Sequence, residues 1–189
     1  VALSFGSEEI ISALFGYGSF TEEAVVNSAK ALYYFSLGLP AFALIKVFST
    51  FFFANHDTKT PFYISLISVI LNISVSIYYF ESIGFMIIPI STTISSWFNS
   101  LILFIFLINR NLFKFNNIFP IKFIKIIFAS ISMGILFKYL ILFFENYLTY
   151  DYSFKSFYLV LSVLLSFSFY VILSLFIKAF KYNDIKLKY

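Results

Sequence analysis

Leu37–Pro61 reads LGLPAFALIKVFSTFFFANHDTKTP and decides the fold. Its first part is apolar apart from Lys46, and Pro40 lies near its start. It then breaks into Asn55-His56-Asp57-Thr58-Lys59, which runs directly into Thr60-Pro61. Thr60 as a cap with Pro61 at the first helical position is a helix start signal. A helix long enough to cross a bilayer thus ends in a tight polar turn, and a second helix follows at once.

Outward from this hairpin the chain repeats the pattern. Of 189 residues, 61% are hydrophobic and 12% charged, and the mean hydropathy is +0.93. A water-facing surface could not be covered with so little charge, so the composition points to an integral membrane protein. Cysteine is absent, which excludes disulfides and thiolate metal sites. The net charge of +4 is spread over several loops and suits membrane orientation better than nucleic-acid binding.

A span needs roughly 20 apolar residues. Five stretches reach that length: about 29–54, 61–80, 85–108, 121–144 and 157–177. A shorter apolar stub, Val1–Phe15, carries Glu8 and Glu9, to which no role is assigned. The expected fold is an all-α polytopic membrane protein with a partial helix followed by five transmembrane helices. The division expected is 1–117 for the partial span and the next three, 118–177 for the last two, and 178–189 for a basic tail. No signal peptide is indicated, and the chain reads as the C-terminal piece of something longer.

Lysine and arginine set the sidedness. Lys59, Arg110, Lys114, Lys122, Lys125, Lys178, Lys181, Lys186 and Lys188 fall in one set of loops; Lys30 and Lys155 fall in the other, with Lys138 just inside the membrane on that side. The first set is expected in the cytoplasm, together with the C-terminal tail.

Three groups could carry function. Lys46 lies about 12 Å from the end of its helix, at 1.5 Å per residue. Its long stem allows snorkelling to the headgroups. Ser49 and Thr50 share its face, however, which favours a polar interior where a cation would attract an anionic substrate. The second group is a pair of stripes, Ser65, Ser68, Asn72 and Ser76 on one span and Thr92, Ser95, Ser96 and Asn99 on the next. Small hydroxyl residues at helical spacing pack helices together, or else line a hydrated face. The third group, Asp57, Lys59 and Thr60, reads as a solvated turn and cap. His56 has no second ligand nearby. No paired carboxylates, Ser-His-Asp set, phosphate-cradling loop or metal-ligand spacing occurs, so an enzyme is not expected.

Leu14–Phe20 (LFGYGSF), Gly38–Pro61, the helix of Asn72, and Ile90–Ser100 (ISTTISSWFNS) together resemble the C-terminal part of the MurJ (MviN) lipid II flippases, in the multidrug/oligosaccharidyl-lipid/polysaccharide exporter superfamily. The resemblance implies a fourteen-helix, two-lobed alternating-access transporter of the bacterial inner membrane, of which these would be the ninth to fourteenth helices. Lipid II, membrane lipids and the N-terminal half of the same protein would be its partners, and 118–177 would form a groove for the lipid tail. Lys46 would then bind substrate. Some members bind a sodium ion through an Asn, an Asp one turn later and a Thr on the next helix; Asn72 and Thr92 match, whereas Ser76 stands in place of the carboxylate. Tyr17 also departs from the Arg often found in that loop. The alternatives are a related exporter for another polyprenyl-linked glycan or for drugs, and a structural membrane subunit that transports nothing.

Overall fold

The computed structural model describes residues 1–112 and 118–179, with side chains of 118–120 excepted. Lys114, Lys181, Lys186 and Lys188, and with them nearly all of the expected basic tail, lie outside the described residues. The described chain is helical: α1 (Ala2–Phe5), α2 (Ser7–Phe15), α3 (Glu22–Ala54), α4 (Lys59–Ile83), α5 (Ile87–Asn109), α6 (Ile118–Phe143) and α7 (Lys155–Phe176). Four helical segments are long and apolar enough to cross a membrane, and the chain is a multi-pass membrane protein. One of these segments, Lys59–Asn109, spans 51 residues because α4 and α5 are joined by a single 3₁₀ turn, Gly84–Met86. Side-chain bonds between α4 and α5 show that the segment folds back on itself, which makes two spans of it. Gly84 has φ 69° and ψ −153°, a conformation open almost only to glycine, and this is what lets the backbone reverse there.

The contacts form two units, one of Val1–Ala29 with Asn116–Tyr189 and one of Lys30–Phe115. The N-terminal segment groups with α6 and α7.

In the first unit α6 packs along α7, with α1 on α6 and α2 on α7. Ala13, Phe137, Ile141, Leu148 and Leu159 form its buried core. The fit at α1 depends on glycine: a Cβ on Gly134 would fall 2.3 Å from Val1 Cγ1, and one on Gly6 would fall 2.5 Å from Phe137 Cε1. Lys155 begins α7 and is fully buried, not in an open outer loop as the sequence suggested. Its ammonium donates to the carbonyls of Gly16 (2.7 Å) and Tyr150 (2.6 Å) and lies over the rings of Tyr17 (4.4 Å) and Tyr150 (4.6 Å). Two carbonyls and two aromatic faces replace the water this cation loses.

In the second unit the rest of α3 packs with α4 and α5. Phe52, Ile64, Leu103 and Leu107 make the core near one end. α3 begins at Glu22, earlier than the expected 29, because Thr21 Oγ1 accepts the N–H of Ala24 and the first turn carries Glu22 and Glu23. It runs through Pro40 as one helix. Because proline has no N–H, the Ser36 carbonyl loses its usual helical partner. Nearby, α5 is clamped onto α3 by side chains that reach backbone: Thr93 Oγ1 donates to Tyr34 O (2.7 Å) and Trp97 Nε1 to Leu37 O (3.0 Å).

The turn after α3 has His56 at φ 59° in the left-handed region, where the N–H of Asp57 returns to Phe52 O at 3.0 Å. The next helix is capped differently from the sequence expectation. It starts at Lys59, one residue before Thr60, and Asp57 supplies the capping side chain. Asp57 Oδ1 accepts the Thr60 N–H (3.0 Å) and Oδ2 accepts the Thr60 hydroxyl (2.6 Å). A carboxylate satisfies two donors where a threonine would satisfy one.

Candidate functional site: a polar seam in apolar helices

The stripes on α4 and α5 meet. Asn72 donates its amide to Thr92 Oγ1 (3.1 Å) and Ser95 Oγ (3.2 Å). Toward the Gly84 turn, Ser76 and Ser91 share a 2.6 Å hydroxyl–hydroxyl bond. Toward the other end, Asn99 donates to Ser65 Oγ at 3.3 Å. Four cross-helix hydrogen bonds thus follow one face of each helix, at intervals set by the 3.6-residue period. Ser91, which completes the contact at Ser76, was absent from the sequence-derived stripes. It lies one turn before Ser95, so helical spacing would have included it.

The seam opens into a cavity of about 440 Å³, lined by Asn72, Thr92, Ser95 and Asn99 together with Phe42 and Ile45 of α3. Most lining hydroxyls are already committed. Ser68 donates to Ile64 O, Thr92 to Ile88 O, and Ser95 and Ser96 to Thr92 O. Asn99 is the exception. It is buried at 7% exposure, and its Oδ1 has no partner among the described residues.

Lys46 does not line this cavity. It is exposed on α3, one turn beyond Phe42 and on the same stripe, about 6 Å further along the helix. It makes no ion pair among the described residues. Thr50, on its face, spends its hydroxyl on Val47 O.

Asn72 and Thr92, named from sequence as sodium ligands, are in contact; Ser76 is paired with Ser91 instead of pointing to them. All the oxygens on offer are neutral, and the hydroxyls of Ser76, Ser91 and Thr92 already take part in hydrogen bonds. Such a set does not fit sodium well, because nothing in it offsets the charge of a partly dehydrated cation.

At the end of the unit that holds the polar turn, Arg110, just past α5, makes a short ion pair with Asp57. The Asp57 carboxyl is lowered from 3.8 to about 2, chiefly by the hydroxyl and N–H of Thr60 and further by Arg110. Glu8 and Glu9, unassigned from sequence, line a separate cavity of about 690 Å³ in the first unit with Glu22, Glu145 and Asp151. Among the described residues no three acids or histidines are grouped closely enough to hold a metal.

The family model of the lipid II flippase MurJ matches residues 1–161. The chain belongs to the MurJ family. It is 39% identical over 93 residues to a probable lipid II flippase MurJ of Rickettsia prowazekii (strain Madrid E), covering 49% of this chain and 18% of that protein. It is 40% identical over 109 residues to one of Rhizobium meliloti (strain 1021), covering 58% and 20%. Against one of Buchnera aphidicola subsp. Acyrthosiphon pisum it is 35% identical over 136 residues, covering 70% and 26%. The chain thus spans about a fifth to a quarter of these MurJ relatives.

Proposed function

We propose that this chain is the C-terminal part of a lipid II flippase, which moves a polyprenyl-diphosphate-linked peptidoglycan precursor across the bacterial inner membrane by alternating access. Family membership over residues 1–161 carries the reading. The polar seam and cavity within apolar helices support it, since polar side chains at membrane depth serve interior faces and pathways. The excess of Lys and Arg at the Asp57–Arg110 end supports a cytoplasmic location for that end and for the C-terminus.

In this mechanism Lys46, one turn beyond Phe42 on α3, draws the diphosphate toward the helices of the seam. Lipid tails lie against the last two spans, α6 and α7. The remaining helices, including the other lobe, come from the rest of the protein. The Asn72–Thr92 and Ser76–Ser91 contacts hold the helices together, and no step is routed through sodium.

The test uses a full-length protein carrying these residues, in a strain depleted of its own flippase. Lys46→Ala should insert normally and fail to restore growth. Full complementation by that variant would remove Lys46 from the mechanism. A water-soluble thiol reagent should label cysteines placed at Ser68 and Thr92; protection of both would favour a seam that only packs helices.

A further inference from the structure

We propose that Lys155 and Ser156, the first two residues of α7, cap the C-terminus of α2 from across the fold, and that the latch they form stays shut through the transport cycle, so that α2 travels with the α6–α7 hairpin. The cycle rests on the flippase reading, whereas the cap stands on geometry alone.

The last carbonyls of a helix have no partner within it. At the end of α2 the chain that follows answers two of them, through the N–H of Gly16 to Ser12 O and the N–H of Tyr17 to Phe15 O. Ala13 O and Gly16 O are met from α7. Ser156 Oγ donates to Ala13 O at 2.6 Å, and Lys155 Nζ donates to Gly16 O at 2.7 Å. The ammonium also suits the negative end of a helix dipole. Gly16 permits its approach, since a Cβ there would lie 3.1 Å from Nζ.

Two further bonds widen the latch. Ser156 gives its proton to Ala13 O, so the Tyr17 hydroxyl is the donor in its 2.8 Å bond to Ser156 Oγ. Tyr150 Oη donates to Phe20 O at 2.5 Å. Four hydrogen bonds thus join residues 13–20 to residues 150–156, and three of them end on backbone oxygen. Lys155 is fully buried and makes no ion pair among the described residues. Its charge is held by carbonyls and rings that come from both connections, Gly16 and Tyr17 from one and Tyr150 from the other. Partial opening would leave a desolvated ammonium with half of these partners and no water, which costs more than the loss of one bond. The bonds therefore hold together, and a rocking motion finds no gradual way to part them.

The test reads Lys155 in the full-length protein carrying these residues, reconstituted in liposomes. A water-soluble amine-acylating reagent is applied at rest and during lipid II flipping, and modification is read by mass spectrometry. Lys155 should be modified at least about ten-fold more slowly than in the denatured protein, in both conditions alike. A second measurement closes the latch covalently: cysteines at Tyr17 and Ser156, bridged by a short bis-thiosulfonate, should leave flipping at the rate of the unbridged variant. Modification that rises with turnover, or flipping that stops on bridging, would show that the latch opens and would overturn the inference. Ready modification at rest would remove the cap as well. A protein that shields Lys155 yet flips no lipid II would keep the cap and sink the flippase reading, and the statement about the cycle with it.

Discussion

Arg110 reaches back 53 residues to bind Asp57, so the end of α5 is tied to the start of α4 through a carboxylate that also caps α4. One side chain therefore closes the hairpin at its open end, opposite the Gly84 turn.

This arrangement predicts a pH dependence. The carboxyl titrates at about 2 when folded against 3.8 ordinarily. A lowered value means that the stabilisation is complete above the ordinary value and is lost as pH falls from near 4 through about 2. Amide protection at the first turn of α4, taken relative to the intrinsic exchange rate at each pH from pH 5 to pH 2, should fall over that window. In Asp57→Asn the first turn should exchange faster throughout, with no step in the window; a step of the same size in the variant would assign the titration elsewhere.

Asn72→Ala removes two cross-helix bonds at membrane depth. Thr92 keeps its bond to Ile88 O and Ser95 its bond to Thr92 O, so neither hydroxyl is left without a partner. The loss should be modest, about 1 kcal/mol, and readable as a small fall in thermal midpoint in detergent. A loss several times larger would mean that Asn72 holds something beyond these two hydroxyls.

Lys155→Met should be far more damaging. It leaves the Gly16 and Tyr150 carbonyls without their donor in a buried site and removes two ring contacts. Each hydrogen bond to a charged group is worth about 1.5–3 kcal/mol. The expected result is a large drop in thermal midpoint, with protease cleavage appearing near residues 16–20. Wild-type resistance in the variant would show that the loop is held by other contacts, such as the bond from Tyr150 to Phe20 O.

The neutral seam predicts indifference to sodium. Replacing sodium by potassium should not change the thermal midpoint of this chain by more than experimental scatter. Selective stabilisation by sodium that Ser76→Ala abolishes would restore Ser76, Asn72 and Thr92 as a cation site.

Much of this architecture is legible in the sequence because membrane helices announce themselves by length and apolarity. The hairpins at Asn55–Lys59 and Glu81–Gly84, and the facing stripes with Asn72 and Asn99, follow from hydropathy and helical spacing. The capping role was misplaced by three residues, because Thr60 and Asp57 are both good caps and only the turn geometry chooses between them. Lys155 reads from sequence as an ordinary loop cation; its burial depends on Gly16, Tyr17 and Tyr150 arriving from distant positions. The unmatched oxygen of Asn99 is likewise invisible in one dimension, since it is defined by which partners the fold does not supply.

Thr93 and Trp97, one turn apart on α5, hold it to the backbone oxygens of Tyr34 and Leu37, three residues apart on α3. Bonds to backbone tolerate substitution of the residues that accept them, yet they fix the axial register of the two helices like paired rungs. A slide of one helical turn would break both at once and leave an indole N–H and a hydroxyl unpaired in lipid. In any transport cycle α3 and α5 must therefore travel together over this stretch, and sequence drift at Tyr34 and Leu37 should cost the gear nothing while drift at Thr93 or Trp97 strips it.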